Sequence, residues 1–345
     1  QVRRVITAVV YADLIENNSP DQAFELALQQ IENLEKRMSE PLSKIEPLPW
    51  KKDLQPTPKL KSNCTKAHFQ KSVQIAKDHI EAGDIFQLVL SQKFEAQVNQ
   101  KPFDLYRSLR MVNPSPYMAF FDFGEWQLIG SSPEVMVKAE PVPEGIKASL
   151  RPIAGTRHRG ADSEEDLRLE KELLSDPKEL AEHVMLVDLG RNDLGRVCDP
   201  GSVTVKELMV IEKYSHVMHI VSEVEGMLTK DKDVWDLLMA SFPAGTVSGA
   251  PKIRAMQLIN KLEPDSRGPY SGIYGSMDLR GALNTAITIR TMLVRPAAKG
   301  GLRVQVQSGA GVVADSIPSN EYQETINKAM GMFKALACLG SQDNE

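Results

Sequence analysis

From Lys147 to the C-terminus the sequence alternates helix-like and strand-like runs, and several neighbouring strand-like runs are separated only by short glycine turns. A parallel pair needs a crossover of a dozen residues or more, so short turns demand antiparallel pairing. The strand-like runs cover residues 202–211, 217–224, 286–294, 302–307 and 311–314. Helical periodicity covers residues 163–174, 178–189, 234–240, 251–262 and 320–337. The pattern predicts an α+β fold rather than a parallel βαβ array.

Upstream, a helix over 65–82 closes at Gly83, a strand covers 86–91, and a short helix over 103–111 stops at Asn113-Pro114. Strands over 118–123 and 127–130 flank Gly124. Residues 39–63 carry Pro41, Pro47, Pro49, Pro56 and Pro58, a linker composition. Before it lie a β-rich run over 4–11 and a helix over 20–38, with Ser19 as N-cap and Pro20 at the first helical position. Residues 65–340 are expected to form one large catalytic domain, and 1–64 the remnant of an N-terminal region. Gln1 opens almost directly on a strand-like run, so the chain is expected to continue a longer protein.

With 345 residues, the chain can bury a core without disulfides or structural metals. Its 41 Lys+Arg against 46 Asp+Glu leave a net charge of −5, which argues against nucleic-acid binding. No apolar run approaches the ~20 residues of a membrane-spanning helix, so a membrane-embedded chain is not expected. Cys64, Cys198 and Cys338 make neither a disulfide framework nor a CxxC site. They read as reduced thiols, which predicts a cytoplasmic protein. A plastid stays open for a eukaryotic source, because any transit peptide would precede Gln1.

Two pairs of acids share a helix face at i,i+3 spacing: Glu179 with Glu182, and Glu321 with Glu324, the latter followed by Lys328. Two such helices facing each other can hold a hard cation such as Mg²⁺. The same spacing also serves a solvated face with ion pairs, and Glu32 with Glu35 shows it in a bland helix. Phe242-Pro-Ala-Gly-Thr-Val-Ser-Gly-Ala-Pro-Lys252 is a small-residue loop opening a helix. Its N–H groups and the Thr246 and Ser248 hydroxyls can receive an anion, although it lacks the spacing of a Walker loop. Ser308-Gly-Ala-Gly311 allows close approach of a ligand or marks a bulge. Arg290, at the end of an apolar strand, can grip a carboxylate or simply face water. His216 and His219 point to opposite strand faces, which makes them poor co-ligands for one metal.

Read in order, residues 84–92, 113–118, 130–134, 152–156, 176–197, 242–252, 267–275 and 309–328 resemble the large, synthase subunit of anthranilate synthase. That places the chain among the chorismate-utilising enzymes. The resemblance is close over about 65–340 and looser before it. It implies antiparallel sheets packed face to face, helices outside, and an active site in the cleft between the halves. It implies chorismate as substrate and Mg²⁺ on Glu182 and Glu324, with Glu179 and Glu321 contributing through waters. Glu134, in Ser-Ser-Pro-Glu, matches the family's general acid for the departing ring hydroxyl. His219 matches the pocket histidine, and Thr156 and Thr246 match ligand-contacting hydroxyls. Tyr270 and Arg290 match the pair that holds the enolpyruvyl carboxylate. Gly309, Ala310 and Gly311 match the strand that offers N–H groups, and Lys328 sits beside the metal.

Within the family the nucleophile sets the product. Members using water have Lys where this chain has Gln87, and a Gln cannot act as its base. Members making 4-amino-4-deoxychorismate commonly have Lys in Pro-Ile-Lys-Gly-Thr, where this chain has Ala154, which offers no nucleophile. Both departures point to ammonia adding to chorismate, pyruvate loss and anthranilate, in tryptophan biosynthesis. 4-Amino-4-deoxychorismate synthase is the alternative activity, and a non-catalytic family member the alternative class. Nothing in the chain resembles a glutaminase, so the resemblance implies a separate glutamine amidotransferase subunit as ammonia source. Pro116, Tyr117 and Met118, in Asn113-Pro-Ser-Pro-Tyr-Met118, resemble half of the family's tryptophan feedback site. The other half is a Leu-Leu-Glu-Ser segment, which this chain lacks. The Asp188-Leu-Gly-Arg-Asn-Asp-Leu-Gly-Arg196 signature has no role derivable from sequence.

Overall fold

The computed structural model describes residues 7–15, 19–41, 48, 60–214, 217–298 and 300–339. The chain divides into two compact units, residues 1–47 and 48–345. In the first, α1 (Pro20–Ser39) begins as expected, with Ser19 extended and Pro20 in the first turn. Asp21 at its start and Lys36 and Arg37 at its end complement the helix dipole. The strand expected over 4–11 is not formed by the described part: residues 7–13 are irregular, with Val9 and Tyr11 exposed. A strand exists only where another satisfies its backbone, and no described strand pairs with this run. Residues 4–6, and most of the proline-rich run (42–47 and 49–59), lie outside the described residues.

The second unit begins with β1 (Lys61–Ser62), α2 (Lys66–Glu81), β2 (Gln87–Val98), α3 (Pro102–Val112), β3 (Tyr117–Asp122) and β4 (Gln127–Ser132). It continues through β5 (Val135–Val142), β6 (Gly145–Leu150), β7 (Ile153–His158), α4 (Ser163–Ser175) and α5 (Pro177–Gly195). Next come β8 (Thr204–Lys213), β9 (Val217–Met227), α6 (Val234–Ser241), a 3-10 turn (Gly245–Val247), β10 (Gly249–Ala250) and α7 (Lys252–Leu262). It ends with β11 (Ile273–Met277), β12 (Leu283–Ile287), β13 (Thr291–Pro296), β14 (Leu302–Val312) and α8 (Pro318–Ala337). Local chemistry sets many of these boundaries. Thr65, Asp162, Asp176 and Asp233 each accept backbone N–H groups at a helix start. Gly83 takes a positive φ of 78° past the end of α2.

Among the described residues all strand pairs are antiparallel, as the short turns required. The first sheet has the order β1-β2-β14-β13-β4-β3, with β10 added to β2. The second runs β11-β12-β5-β6-β9-β7, with β8 along the other side of β9. Helices α3 and α8 cover the first sheet, burying Leu105, Leu109, Phe333 and Leu336 against Phe94, Ile129, Met292 and Val304. The second sheet buries Val137, Ala148 and Val224 with Leu194 of α5 and Leu237 of α6. A third core joins α2 and α7 to β2 through Phe69, Val73, Leu258 and Leu88.

Two expectations are corrected. The apolar run 286–294 is two strands in different sheets: β12 ends in the second sheet and β13 begins in the first. Arg290, at the crossing, takes a φ of 48°. A strand-like run hides such a switch, because the apolar residues on both sides of Arg290 are buried. The runs 302–307 and 311–314 are one strand, β14, paired with β2 along its whole length. The hairpin β5–β6 was not anticipated. In the second unit the chain also passes between sheets from β4 to β5 through Glu134. The two crossings touch: Ser131 N–H donates to Arg290 O (3.1 Å) and Ile287 N–H to Glu134 O (3.1 Å).

Candidate active site

At the seam between the sheets, Glu134 receives a hydrogen bond from Thr246 Oγ1 at 2.7 Å. Thr246 lies in the turn between α6 and β10, another passage of the chain between the sheets. Burial pushes the Glu134 pKa up to about 7, while Thr246 and the charges of Lys328 and Arg290 pull it down. Burial lowers the pKa of the Arg290 guanidinium, and the Glu134 charge opposes this. Arg290 is a non-glycine residue in left-handed backbone, strain of a kind that collects at functional sites.

Tyr270 is 9% exposed, and burial raises the pKa of its phenol. A Cβ on Gly309 would lie 2.7 Å from the phenol oxygen, and one on Gly311 would lie 3.0 Å from Gln87 Nε2. Glycine at these two positions therefore lets side chains close over the β14 backbone. Ala310 between them is fully buried. Lys328 Nζ donates to Gly309 O at 3.1 Å and pairs with Glu324 at 2.6 Å. Helix α8 is pinned beneath by Thr325: Gln92 Nε2 donates to its hydroxyl and Ser308 Oγ to its carbonyl.

Gln87 Nε2 donates to Glu182 Oε1 at 2.8 Å, and the buried Gln87 Oε1 has no partner among the described residues. Burial raises the Glu182 pKa, and the charges of Glu179 and Glu324 raise it further. Glu321 is raised by burial, and by Glu324 in addition. Acids from α5 and α8 thus feel one another across the site. Glu179 is also engaged by Arg157, whose Nη1 donates to it at 2.9 Å. Arg157 binds Asp176 and Glu172 as well.

Among the described residues no three His, Cys, Asp or Glu side chains form a group that would hold a metal ion. The donors nevertheless fit Mg²⁺. This ion takes one or two carboxylates and keeps its waters, and the repulsion that the Glu324 charge exerts on Glu182 and on Glu321 is what a dication would relieve.

His219 Nδ1 lies 3.0 Å from Thr156 Oγ1 and 3.3 Å from Gly155 O. Burial lowers its pKa, as does the charge of Arg290, which favours the neutral ring. His216 lies outside the described residues. Ala154 sits on β7 opposite Ile220 of β9. Away from this constellation, Tyr117 O accepts from Tyr274 Oη (2.8 Å), and Tyr117 Oη donates to Asn284 (3.0 Å). Met118 packs on the α3–α8 core.

The residues singled out in sequence from Gln87 to Lys328 are therefore linked by contact or by charge, apart from the Pro116–Met118 segment. Sequence reasoning missed Arg157, although it directly follows Thr156. It also missed Arg267 and the buried Asp193–Lys252 pair (2.8 Å), which lies inside two of the quoted motifs.

A family model described as chorismate binding enzyme matches residues 5–334. The anthranilate synthase component 1 of Synechocystis sp. is 57% identical over 345 positions, covering 98% of this chain and 68% of that protein. That of Acetivibrio thermocellus is 53% identical over 279, covering 81% and 55%. That of Pseudomonas aeruginosa is 48% identical over 332, covering 96% and 65%. The chain thus spans between about half and two thirds of the length of these relatives. The crystal structure of anthranilate synthase component I from Streptococcus pneumoniae superposes with a TM-score of 0.78 at 44% identity, over 93% of this chain and 68% of that one. The isochorismate synthase MenF from Escherichia coli shares the fold at 24% identity, with a TM-score of 0.74, over 91% and 69%.

Proposed function

The chain belongs to the chorismate-binding enzymes, and from that premise we propose that it makes anthranilate from chorismate and ammonia with release of pyruvate. The observation that carries this reading is Glu134: a carboxyl raised to about 7, held by Thr246 beside Arg290 and within reach of Lys328. A proton donor for a poor leaving group needs its pKa near working pH. Tyr270, Arg290 and the Gly309–Gly311 backbone form the end of the site suited to the enolpyruvyl carboxylate. Thr156 and His219 face the ring.

Glu182 and Glu324, with Glu179 and Glu321 behind waters, would hold Mg²⁺. When bound, the ion supplies a positive charge for the ring carboxylate and withdraws electron density from the ring. Glu134 donates its proton to the departing hydroxyl. Gln87, anchored to Glu182, presents its unpaired Oε1 as an acceptor for the N–H of ammonia, and no lysine base at that position activates water.

The relatives are named as component 1, so a second component is expected. A glutamine amidotransferase fits the need for ammonia. The Pro116–Met118 segment would supply one wall of a tryptophan feedback site, and the protein would act in the cytoplasm. Among the described residues no helix is long and apolar enough to cross a membrane.

The test is chorismate consumption with ammonium and Mg²⁺ by the wild type and Glu324→Gln. Glu324→Gln should lose turnover by about 10²-fold or more, because a metal carboxylate becomes a neutral amide. A wild type that binds chorismate and consumes none would overturn the reading in favour of a non-catalytic member.

A further inference from the structure

Arg267 is 14% exposed in its side chain and lies outside every role given so far. A guanidinium has five N–H groups, and this one places them all. Nε and Nη2 donate to the two oxygens of Glu263, at 2.9 and 2.6 Å. Nη1 donates to Val247 O at 2.6 Å and to Ser271 Oγ at 3.3 Å. The second Nη2 bond goes to Val89 O at 2.8 Å. The plane also lies 5.3 Å from the centre of the Tyr270 ring, within cation–π range.

Each contact ends beside a site residue. Val247 follows Thr246, which holds Glu134. Val89 pairs with Gly311, and Ser91, whose N–H and hydroxyl both donate to Glu263, pairs with Gly309. Tyr270 places its phenol against Gly309; its carbonyl accepts from Ser271 Oγ at 2.6 Å, and the phenol has no hydrogen-bond partner among the described residues. Its ring is held by packing and by the nearby guanidinium charge, and its hydroxyl is left free for a ligand.

We propose that Arg267 is a positioning residue: with Glu263 as its anchor it sets the Tyr270 phenol against the Gly309–Gly311 backbone, and so sets affinity for the substrate carboxylate. This rests on the reading above that Tyr270 meets the substrate. Lysine cannot replace it, since one ammonium cannot reach Glu263, Val247 and Val89 together.

The test is a double-mutant cycle of Arg267→Lys and Tyr270→Phe. Equilibrium binding of chorismate and steady-state kinetics are measured on each protein, with thermal unfolding alongside. Arg267→Lys raises Kd and KM about tenfold with Tyr270 in place and less than about twofold in the Tyr270→Phe background, with kcat moving less than KM. Effects that multiply independently, or a lowered unfolding midpoint with Kd unchanged, overturn the proposal. Should Arg267→Lys fail to fold, Glu263→Gln loosens the same anchor, and an unchanged Kd in that variant is equally fatal. A wild type that binds chorismate but forms another product overturns the function and leaves this cycle decisive. A wild type that binds no chorismate overturns both.

Discussion

A carboxyl group that delivers a proton near neutrality must resist ionising until then, and burial does this for Glu134. The protonated form is the active one, so kcat/KM should hold below pH 7 and fall as pH rises through about 7. A pH–rate profile of the free enzyme checks this, and Glu134→Gln should lose activity by about 10²–10⁴-fold. Thr246 favours the ionised form, so Thr246→Val should move the alkaline limb to higher pH. The same shift acts on stability. With its folded pKa raised from the ordinary 4.5 to about 7, Glu134 contributes stability that is fully present below 4.5 and is lost as pH rises through about 7. Glu134 was legible from Ser-Ser-Pro-Glu. Thr246 was legible as a loop hydroxyl and, by the resemblance, as one that contacts ligand; its bond to Glu134 was not, because nothing local brings together residues 112 positions apart.

Helix α5 shows what motifs reveal of an element and what they conceal. Glu182 and Glu179 marked its first half, whereas the Asp188–Arg196 signature gave no role. In the fold that signature is the second half of the same helix, and Asp193 meets Lys252 at the start of α7. Lys252 Nζ also donates to Ser241 O, tying the end of α6 to the same point. Burial raises the Asp193 pKa to about 6 despite the lysine, so desolvation outweighs attraction there. Asp193→Ala should therefore destabilise the protein by about 3–5 kcal/mol in denaturant unfolding, by stranding the lysine. Replacing both partners, Asp193→Leu with Lys252→Met, should recover much of that loss. The run 286–294 failed to reveal its break for a related reason. Periodicity reports burial, and Ile287 and Met292 are both buried, although in different sheets.

At the scale of the molecule, antiparallel pairing followed from turn lengths, and the helices were found within a few residues of their ends, apart from α5, which continues past the expected 189 to Gly195. The sheet order was not readable. β2 pairs with β14 across more than two hundred residues, and that pairing brings Gln87 to Gly311. The site exists because the chain crosses between two sheets at Glu134, at Thr246 and at Arg290, and α5 and α8 bring their acids to that seam. The most direct measurement is identification of the product from chorismate, Mg²⁺ and an ammonium salt, by fluorescence and mass, with pyruvate counted. The account predicts fluorescent anthranilate with one pyruvate for each chorismate consumed. A non-fluorescent amino product without pyruvate, or isochorismate formed from water, would contradict it.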